Sequence, residues 1–188
     1  MRPGYYFRGD HQDAGDILRD MAAALHYLDS KAVSHNDIRP ANMLYQRGQP
    51  CVLVDFGAAC SHDEVNPLGM CHYLCPEYLI GRRRGAGSDV FSMGVVMLWV
   101  LRLIPLPEAT EPVWDVFTAA SGPDSSDATR AFRWHIHLQA CREKLSSSRT
   151  GIERLTFRML DPSPETRISA LELLSRVCYS HTSELHGQ

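Results

Sequence analysis

The sequence has 188 residues, of which 44% are hydrophobic, and its formal net charge at pH 7 is -3. This length and apolar content suffice for one globular domain with its own core. The slight negative charge provides no basic field of the kind that attracts proteins to nucleic acid or anionic membranes, so neither class of partner is expected.

The first predicted element is an amphipathic helix. Apolar residues recur at helical spacing from Asp16 to Leu28 and predict a helix that ends near Lys31. Two strand-like runs follow at residues 43–45 and 51–54. The turn-forming residues 47–50 between them predict a small β-hairpin.

The segment after the hairpin is predicted to be a long loop. Residues 55–77 contain two prolines and no sustained periodicity, and long loops inside compact domains are usually functional. Ser88 is then predicted to cap a helix that runs through Val100. Its apolar residues lie on all faces, so we expect this helix in the middle of the core.

The C-terminal third is predicted to begin with a mobile segment and to end in two helices. Residues 120–130 are polar and rich in turn formers. Apolar positions mark one helix around residues 152–159 and another around residues 168–178. Ser169 and Glu172 have the spacing of a capping box at the second helix, and the chain is expected to fray from about Ser180.

Three short strings combine acidic or amide side chains with loop positions: HNDIRPAN at 35–42, DFG at 55–57 and CPE at 75–77. Asp37 and Asn42 lie five residues apart on a loop. They could place a carboxylate beside a reacting hydroxyl and an amide oxygen on a hard cation. Asp55, at the end of an apolar strand, could supply a second oxygen ligand to that ion.

In this order the strings resemble the signature of the protein kinase family, which is the HRD loop with its asparagine, then DFG, then APE. The resemblance continues in SDVFSMG at residues 88–94, similar to the start of the family's central helix. It reaches Asp161-Pro162 and the following Arg167 near the end. The resemblance implies a mainly α fold, the kinase C-lobe, with a small β-hairpin beside the catalytic loop.

The resemblance also implies ATP and Mg²⁺ as cofactors and a protein as the substrate or docking partner. Asp37 and Arg39 would be catalytic, with Asp37 accepting or orienting the proton of the substrate hydroxyl. Asn42 and Asp55 would hold the magnesium ion against the ATP phosphates, and Leu44 would belong with them to the cofactor-binding set.

Other matching residues are expected to be structural. His35 and Phe56 would belong to a hydrophobic spine that positions the catalytic loop. Glu77 and Arg167 would form a buried ion pair, and Asp89 would anchor the loop from the central helix.

Three positions depart from the family pattern. Asn36 stands where many kinases have the arginine that binds an activation-loop phosphate, so control by such phosphorylation is not expected. Arg39 replaces a lysine, which keeps the charge but changes the geometry to a planar fork. Met70 replaces a threonine, so that the side-chain hydrogen bond from the substrate-binding segment to the catalytic aspartate cannot form.

The sequence further predicts a truncated kinase-like domain over residues 1–180, without an N-lobe, and a frayed tail over 181–188. The 34 residues before His35 are fewer than five strands of about 5 residues and a helix of about 11 need. The two lysines, Lys31 and Lys144, lie at positions that exclude the N-lobe strand lysine. We therefore expect weak ATP binding by this chain alone, unless a separate chain supplies the missing lobe.

Three functions remain open at this point. The first is the catalytic lobe of a protein kinase, with serine or threonine as acceptor because Ile38-Arg39-Pro40 resembles the LKP of serine/threonine kinases. The second is a non-catalytic module that binds proteins. The third is a small-molecule phosphotransferase of the aminoglycoside-kinase type, disfavoured by Pro76-Glu77 and the SDVFSMG string.

The expected compartment is intracellular, either cytoplasmic or nuclear. The six cysteines include no CxxC pair and are predicted to be reduced thiols. The longest apolar run, residues 93–101, contains Gly94 and is far shorter than the roughly 20 residues of a membrane span. The N-terminus has no apolar core of signal-peptide length.

Overall fold

The computed structural model describes residues 11–62, 64, 69–81, 85–121 and 124–184. In this part of the chain there are eight α-helices and two small antiparallel sheets, which confirms the predicted helical fold. The helices are α1 (His11–Ser30), α2 (Pro76–Gly81), α3 (Ala86–Val100), α4 (Pro107–Thr110), α5 (Val116–Ser121), α6 (Ser126–Glu143), α7 (Gly151–Met159) and α8 (Ala170–Glu184). The strands are β1 (Val33–Ser34), β2 (Met43–Leu44), β3 (Val52–Leu53) and β4 (Cys60–Ser61).

Helix α3 lies at the centre of the core, as its all-round apolar sequence predicts. Every residue from Met93 to Val100 is buried, and the helix packs against α1 and α7. Gly94 permits the close approach of α7, because a Cβ at that position would lie 3.0 Å from the Leu160 side chain. Positions on all sides of α3 therefore contribute to one core.

The predicted cap of α3 is wrong. The helix begins at Ala86 with Gly85 at the N-cap, so Ser88 lies inside the first turn. The Ser88 amide already donates to the Gly85 carbonyl at 2.9 Å. Its hydroxyl accepts a 3.2 Å hydrogen bond from the Cys75 thiol, which links α3 to the segment before α2.

The hairpin of β2 and β3 is confirmed, with Met43 opposite Leu53 and Leu44 opposite Val52. The second sheet was not predicted. Strand β4 pairs with β1, and residues of the predicted long loop also form short 3₁₀ turns at Phe56–Ala58 and Cys71–Tyr73. A two-residue strand carries no periodicity, so only the pairing with β1 distinguishes it from loop.

Three long helices follow α3 rather than the two predicted. Residues 126–130, predicted to be mobile, form the start of α6, and the Ser125 hydroxyl caps it by accepting from the Ala128 amide at 2.9 Å. Helix α6 buries Trp134, Leu138 and Cys141 on one narrow side. Phe132 and Ile136 are exposed and lie off this stripe, so the apolar residues of the sequence do not mark a single helical face.

The final helix confirms half of the predicted capping box. The Ser169 hydroxyl accepts from the Glu172 amide at 3.1 Å, whereas the Glu172 carboxylate binds Arg158 on α7. Helix α8 continues to Glu184, past the predicted point of fraying at Ser180, and residues 185–188 lie outside the described part. None of the described helices combines the length and apolar character that crossing a membrane requires.

Candidate active site

The catalytic loop between β1 and β2 is anchored by Asp89 of α3. The Asp89 carboxylate accepts hydrogen bonds from the backbone amides of His35 at 2.6 Å and Asn36 at 2.9 Å. Asp89 is buried, so these charge-assisted bonds are made where water does not compete. The central helix therefore fixes the start of the loop, as the sequence predicted.

His35 joins this loop to the DFG string. Its ring is fully buried and meets the Phe56 ring edge to face, with the ring centroids 4.8 Å apart. His35 Nε2 also lies 3.2 Å from the Val54 carbonyl oxygen. The contact agrees with the structural role predicted for this pair.

Asn36 has a role that the sequence did not reveal. Its backbone is left-handed, with φ of 66°, a conformation that asparagine tolerates better than most residues. Its buried side-chain amide donates to the Ser34 carbonyl at 3.2 Å and to the Ala58 carbonyl at 3.0 Å. Asn36 therefore ties the catalytic loop to the segment after DFG without any phosphate.

Asp37 is held by three hydrogen-bond donors. Its Oδ2 accepts from Arg39 Nε at 3.2 Å and from Asn42 Nδ2 at 2.7 Å. Its Oδ1 accepts from the Met70 backbone amide at 3.1 Å. Both oxygens have defined partners, so the carboxylate has one orientation at the edge of the loop.

The contact with Met70 refines the prediction for that position. A methionine side chain cannot make the hydrogen bond of the family's threonine, but the Met70 backbone amide joins the segment that is predicted to bind substrate to Asp37. No side-chain pattern could indicate this bond, because every residue except proline carries a backbone amide.

The predicted metal ligands lie at the same end of the β2–β3 hairpin. Asn42 directly precedes β2, and its carbonyl oxygen accepts from the Val54 amide at 2.9 Å, one residue before Asp55. The Asn42 side-chain nitrogen donates to both the carbonyl and the carboxylate of Asp37. That use of the nitrogen leaves the side-chain oxygen available to a cation.

Asp55 also has an oxygen suited to this task. The residue is exposed and left-handed, with φ of 64°, and its Oδ1 accepts from the Gly57 amide at 3.3 Å. Within the described residues there is no cluster of three or more His, Cys, Asp and Glu side chains that could hold a metal. An amide oxygen and a carboxylate are the kind of donors through which proteins bind Mg²⁺, together with waters and substrate phosphates, so Asn42 and Asp55 as ligands stay a prediction.

Leu44, the remaining predicted cofactor residue, lies on an exposed apolar surface of the hairpin. Its side chain is 48% exposed and that of its cross-strand partner Val52 is 50% exposed. Phe56 is similarly exposed. An apolar surface beside Asp55 is chemically suited to contact a planar base, although Leu44 as a ligand stays a prediction.

The CPE segment is held to the core by the predicted ion pair between Glu77 and Arg167. Arg167 Nη1 donates to Glu77 Oε1 at 2.6 Å, and Nη2 donates to Oε2 at 2.9 Å. The Arg167 guanidinium also donates to the carbonyls of Gly87 and Asp161. Burial alone would raise the pKa of Glu77, but its hydrogen bonds to Arg167 and the nearby positive charge outweigh burial and lower it.

Two buried thiols of the lobe, Cys75 and Cys51, are not suited to nucleophilic chemistry. Burial and, to a smaller extent, the charge of Glu77 raise the pKa of Cys75 to about 12. Burial and Asp20 likewise raise the pKa of Cys51 to about 12. Both thiols therefore stay protonated at neutral pH.

The helical lobe, the anchored HND loop and the braced CPE segment define a kinase-type lobe. The protein kinase domain family matches residues 7–178, and the chain belongs to that family. Calcium-dependent protein kinase 21 of Oryza sativa subsp. japonica is 28% identical over 176 residues, which is 89% of this chain and 28% of the relative.

Other similar proteins are also protein kinases. MAP kinase-activated protein kinase 2 of Drosophila melanogaster is 33% identical over 97 residues, 48% of this chain and 27% of the relative. Membrane-associated tyrosine- and threonine-specific cdc2-inhibitory kinase wee-1.3 of Caenorhabditis elegans is 29% identical over 164 residues, 85% of this chain and 21% of the relative. The chain thus spans less than a third of the length of each.

Proposed function

We propose that this chain carries the phosphoryl-transfer site of a serine/threonine protein kinase. The observation that carries the proposal is the fixed Asp37 carboxylate, which accepts from the Asn42 side-chain nitrogen and the Met70 amide, with Asp55 at the same end of the hairpin. Positioning of this kind is a main contribution of the protein to phosphoryl transfer in kinases. The retained HND, DFG and CPE strings support the same function.

In this proposal Asp37 accepts or orients the proton of the acceptor hydroxyl. The Met70 amide and Asn42 hold its carboxylate toward the substrate-binding segment. Asn42 and Asp55 would hold Mg²⁺, which neutralises negative charge on the ATP phosphates when it is bound. Arg39 lies beside Asp37 and offers further N–H donors to a phosphate oxygen.

Serine or threonine is the proposed acceptor because residues 38–40 resemble the corresponding string of serine/threonine kinases. The 70–75 segment, where the peptide would lie, is fixed from three sides. Ser92 donates to the Tyr73 carbonyl at 2.7 Å, Trp134 donates to the His72 carbonyl at 2.7 Å, and the Tyr73 hydroxyl donates to Glu108. A fixed segment is suited to orient a peptide.

Transfer by the chain alone is proposed to be weak. Lys31 lies just after α1 with its ammonium group 5.7 Å from the Tyr27 ring centroid, and Lys144 caps the end of α6. Neither lysine belongs to the elements that carry Asp37, Asn42 and Asp55. We propose that the ATP-binding lysine comes from an N-lobe, which a separate chain could supply.

One observation favours the second candidate, a module that binds proteins without catalysis. Arg39 Nε and Asn42 Nδ2 both donate to Oδ2 of Asp37, and the Met70 amide donates to Oδ1, so a substrate hydroxyl must share either oxygen with an existing donor. This competition would weaken a base while leaving the fold intact. Catalysis must therefore be tested directly.

The test compares the chain with a fusion that places the N-lobe of rice calcium-dependent protein kinase 21 before residue 7. Phosphate transfer from labelled ATP to casein is measured for both, each beside its Asp37→Ala variant. We expect Asp37-dependent transfer by the fusion and none above the variant by the chain alone. A fusion that binds Mg²⁺-ATP in a thermal-shift assay but transfers no phosphate would refute catalysis and favour the binding module.

A further inference from the structure

A groove of about 860 Å³ lies between α7 and α8. None of its lining residues belongs to the catalytic loop, the DFG string or the substrate-binding segment. Its α7 lining extends from residue 151 to residue 158, which is about 10 Å of helix at ~1.5 Å per residue. That length accommodates about three residues of an extended peptide, at ~3.3 Å each.

The lining of this groove is positively charged. It contains Arg154 and Arg158 from α7 and Arg176 from α8, against one acidic residue, Glu172. The formal charge of the groove is therefore +2, whereas that of the whole chain is -3. A local concentration of arginine on an acidic chain indicates a surface for negatively charged groups.

Two of the three arginines of the groove share the Glu172 carboxylate. Arg158 Nη1 and Nη2 donate to the two Glu172 oxygens at 2.6 and 3.0 Å. Arg176 Nε donates to the same carboxylate at 3.2 Å. Arg154 is exposed and forms no ion pair with any residue that the structure describes.

The groove also has an apolar component. Leu155 is buried in its floor, and Leu171 on α8 leaves 55% of its surface exposed. An apolar side chain of a partner placed between them would cover Leu171. Acidic residues on either side would then lie near the arginines of the two helices.

We propose that the α7–α8 groove binds a short acidic peptide segment of a partner protein, with one apolar residue between acidic ones. Arginine binds carboxylates through two parallel hydrogen bonds, and Arg154 is available for such a pair. The length, charge and exposed leucine of the groove fit this ligand better than a purely apolar helix. The inference does not depend on the proposed catalysis, because the groove shares no residue with the active site.

The test uses the full chain and a fluorescein-labelled peptide of sequence Glu-Glu-Leu-Glu-Glu, with binding followed by fluorescence anisotropy. The neutral control peptide is Gln-Gln-Leu-Gln-Gln. Arg154→Glu removes the available guanidinium, and Arg133→Glu, at an exposed position on α6 outside the groove, makes the same change in net charge. Thermal melts verify that both variants remain folded.

We expect the Arg154→Glu variant to bind the acidic peptide at least about tenfold more weakly, because a charge-assisted contact becomes a repulsion. Arg133→Glu should bind it as the original chain does. Leu171→Ser should weaken binding by about threefold or more through loss of apolar contact. The glutamine peptide should show no binding in the same range.

Several results would overturn the proposal. These are no binding at millimolar peptide, equal weakening by the two arginine variants, or equal binding of the glutamine peptide. Tighter binding of a single-stranded oligonucleotide, lost in Arg154→Glu, would assign the groove to nucleic acid. Sedimentation that shows self-association, also lost in Arg154→Glu, would assign it to a second copy of this chain.

Discussion

The described residues include two bidentate pairs of arginine and glutamate that differ strongly in burial, and this difference allows a quantitative test. In the Arg167–Glu77 pair the side chains are 0% and 18% exposed. In the Arg158–Glu172 pair they are 36% and 37% exposed. Hydrogen-bond lengths are similar in the two pairs, 2.6 and 2.9 Å against 2.6 and 3.0 Å.

The perturbation is glutamate to glutamine at each pair, which removes one charge and changes the volume little. Glu77→Gln leaves the buried Arg167 charge uncompensated, and losses of this kind cost about 3–5 kcal/mol. The amide oxygen still accepts one hydrogen bond, so we expect a value near ~3 kcal/mol. For Glu172→Gln we expect no more than ~1 kcal/mol, because water screens the exposed pair.

The free energy of unfolding is measured by urea titration and followed by tryptophan fluorescence. Trp99, Trp114 and Trp134 are all buried, so unfolding changes their surroundings. The urea dependence should be the same for both variants, because neither change alters the surface that unfolding exposes. Equal losses of stability in the two variants would refute the argument that burial decides the strength of these pairs.

The same pair predicts a response to acid. The pKa of Glu77 in the folded chain lies below its ordinary value of 4.5, since the opposing effect of burial is outweighed by Arg167. Its contribution to stability is therefore complete above the unfolded pKa and is lost as pH falls through the folded pKa. The stability difference between wild type and Glu77→Gln should narrow below about pH 4.5.

Three further predictions concern the core. Gly94→Ala should cost about 1–3 kcal/mol in urea titrations, because its Cβ would meet Leu160 at 3.0 Å. Gly85→Ala has nothing within 4 Å and should cost no more than ~1 kcal/mol, the loss expected when a glycine N-cap becomes alanine. Asp89→Asn should cost about 2–3 kcal/mol and accelerate hydrogen exchange of the catalytic-loop amides, and unchanged exchange would contradict the anchoring. Burial lowers the pKa of His72, so the unfolded chain binds a proton at this position at higher pH than the folded chain does. As pH falls below about 6.5, the wild type should therefore lose more stability than the His72→Phe variant.

The sequence predicted the elements whose pattern is local. Helix α1 shows its apolar spacing over many turns, and the hairpin has two apolar runs around a turn, so both could be found without tertiary contacts. Helix α6 was missed because its buried stripe is narrow and the exposed Phe132 and Ile136 lie off it, so the sequence shows no single apolar face. The cap of α3 was misplaced because Ser88 suits a cap chemically but is already within the helix.

The candidate site also contains features that the sequence predicted and a contact that only the structure shows. Asp37, Asn42 and Asp55 could be selected as candidates because their residue types recur in a fixed order with loop and strand signals around them. The partner of Asp37 on the substrate-binding segment is a backbone amide 33 residues away. A backbone donor has no identity in the sequence, so this contact could not have been predicted from residue types.

By itself, the sequence determined the helical character of the lobe, the order of its chemical strings and the pairing of Glu77 with Arg167. These depend on periodicity or on residue types that the family resemblance carries. Only the tertiary structure decided that β4 pairs with β1, that Asn36 ties the catalytic loop to the segment after DFG, and that three arginines share one groove. Each of these joins residues distant in the chain, where the packing of the core, rather than local preference, brings them together.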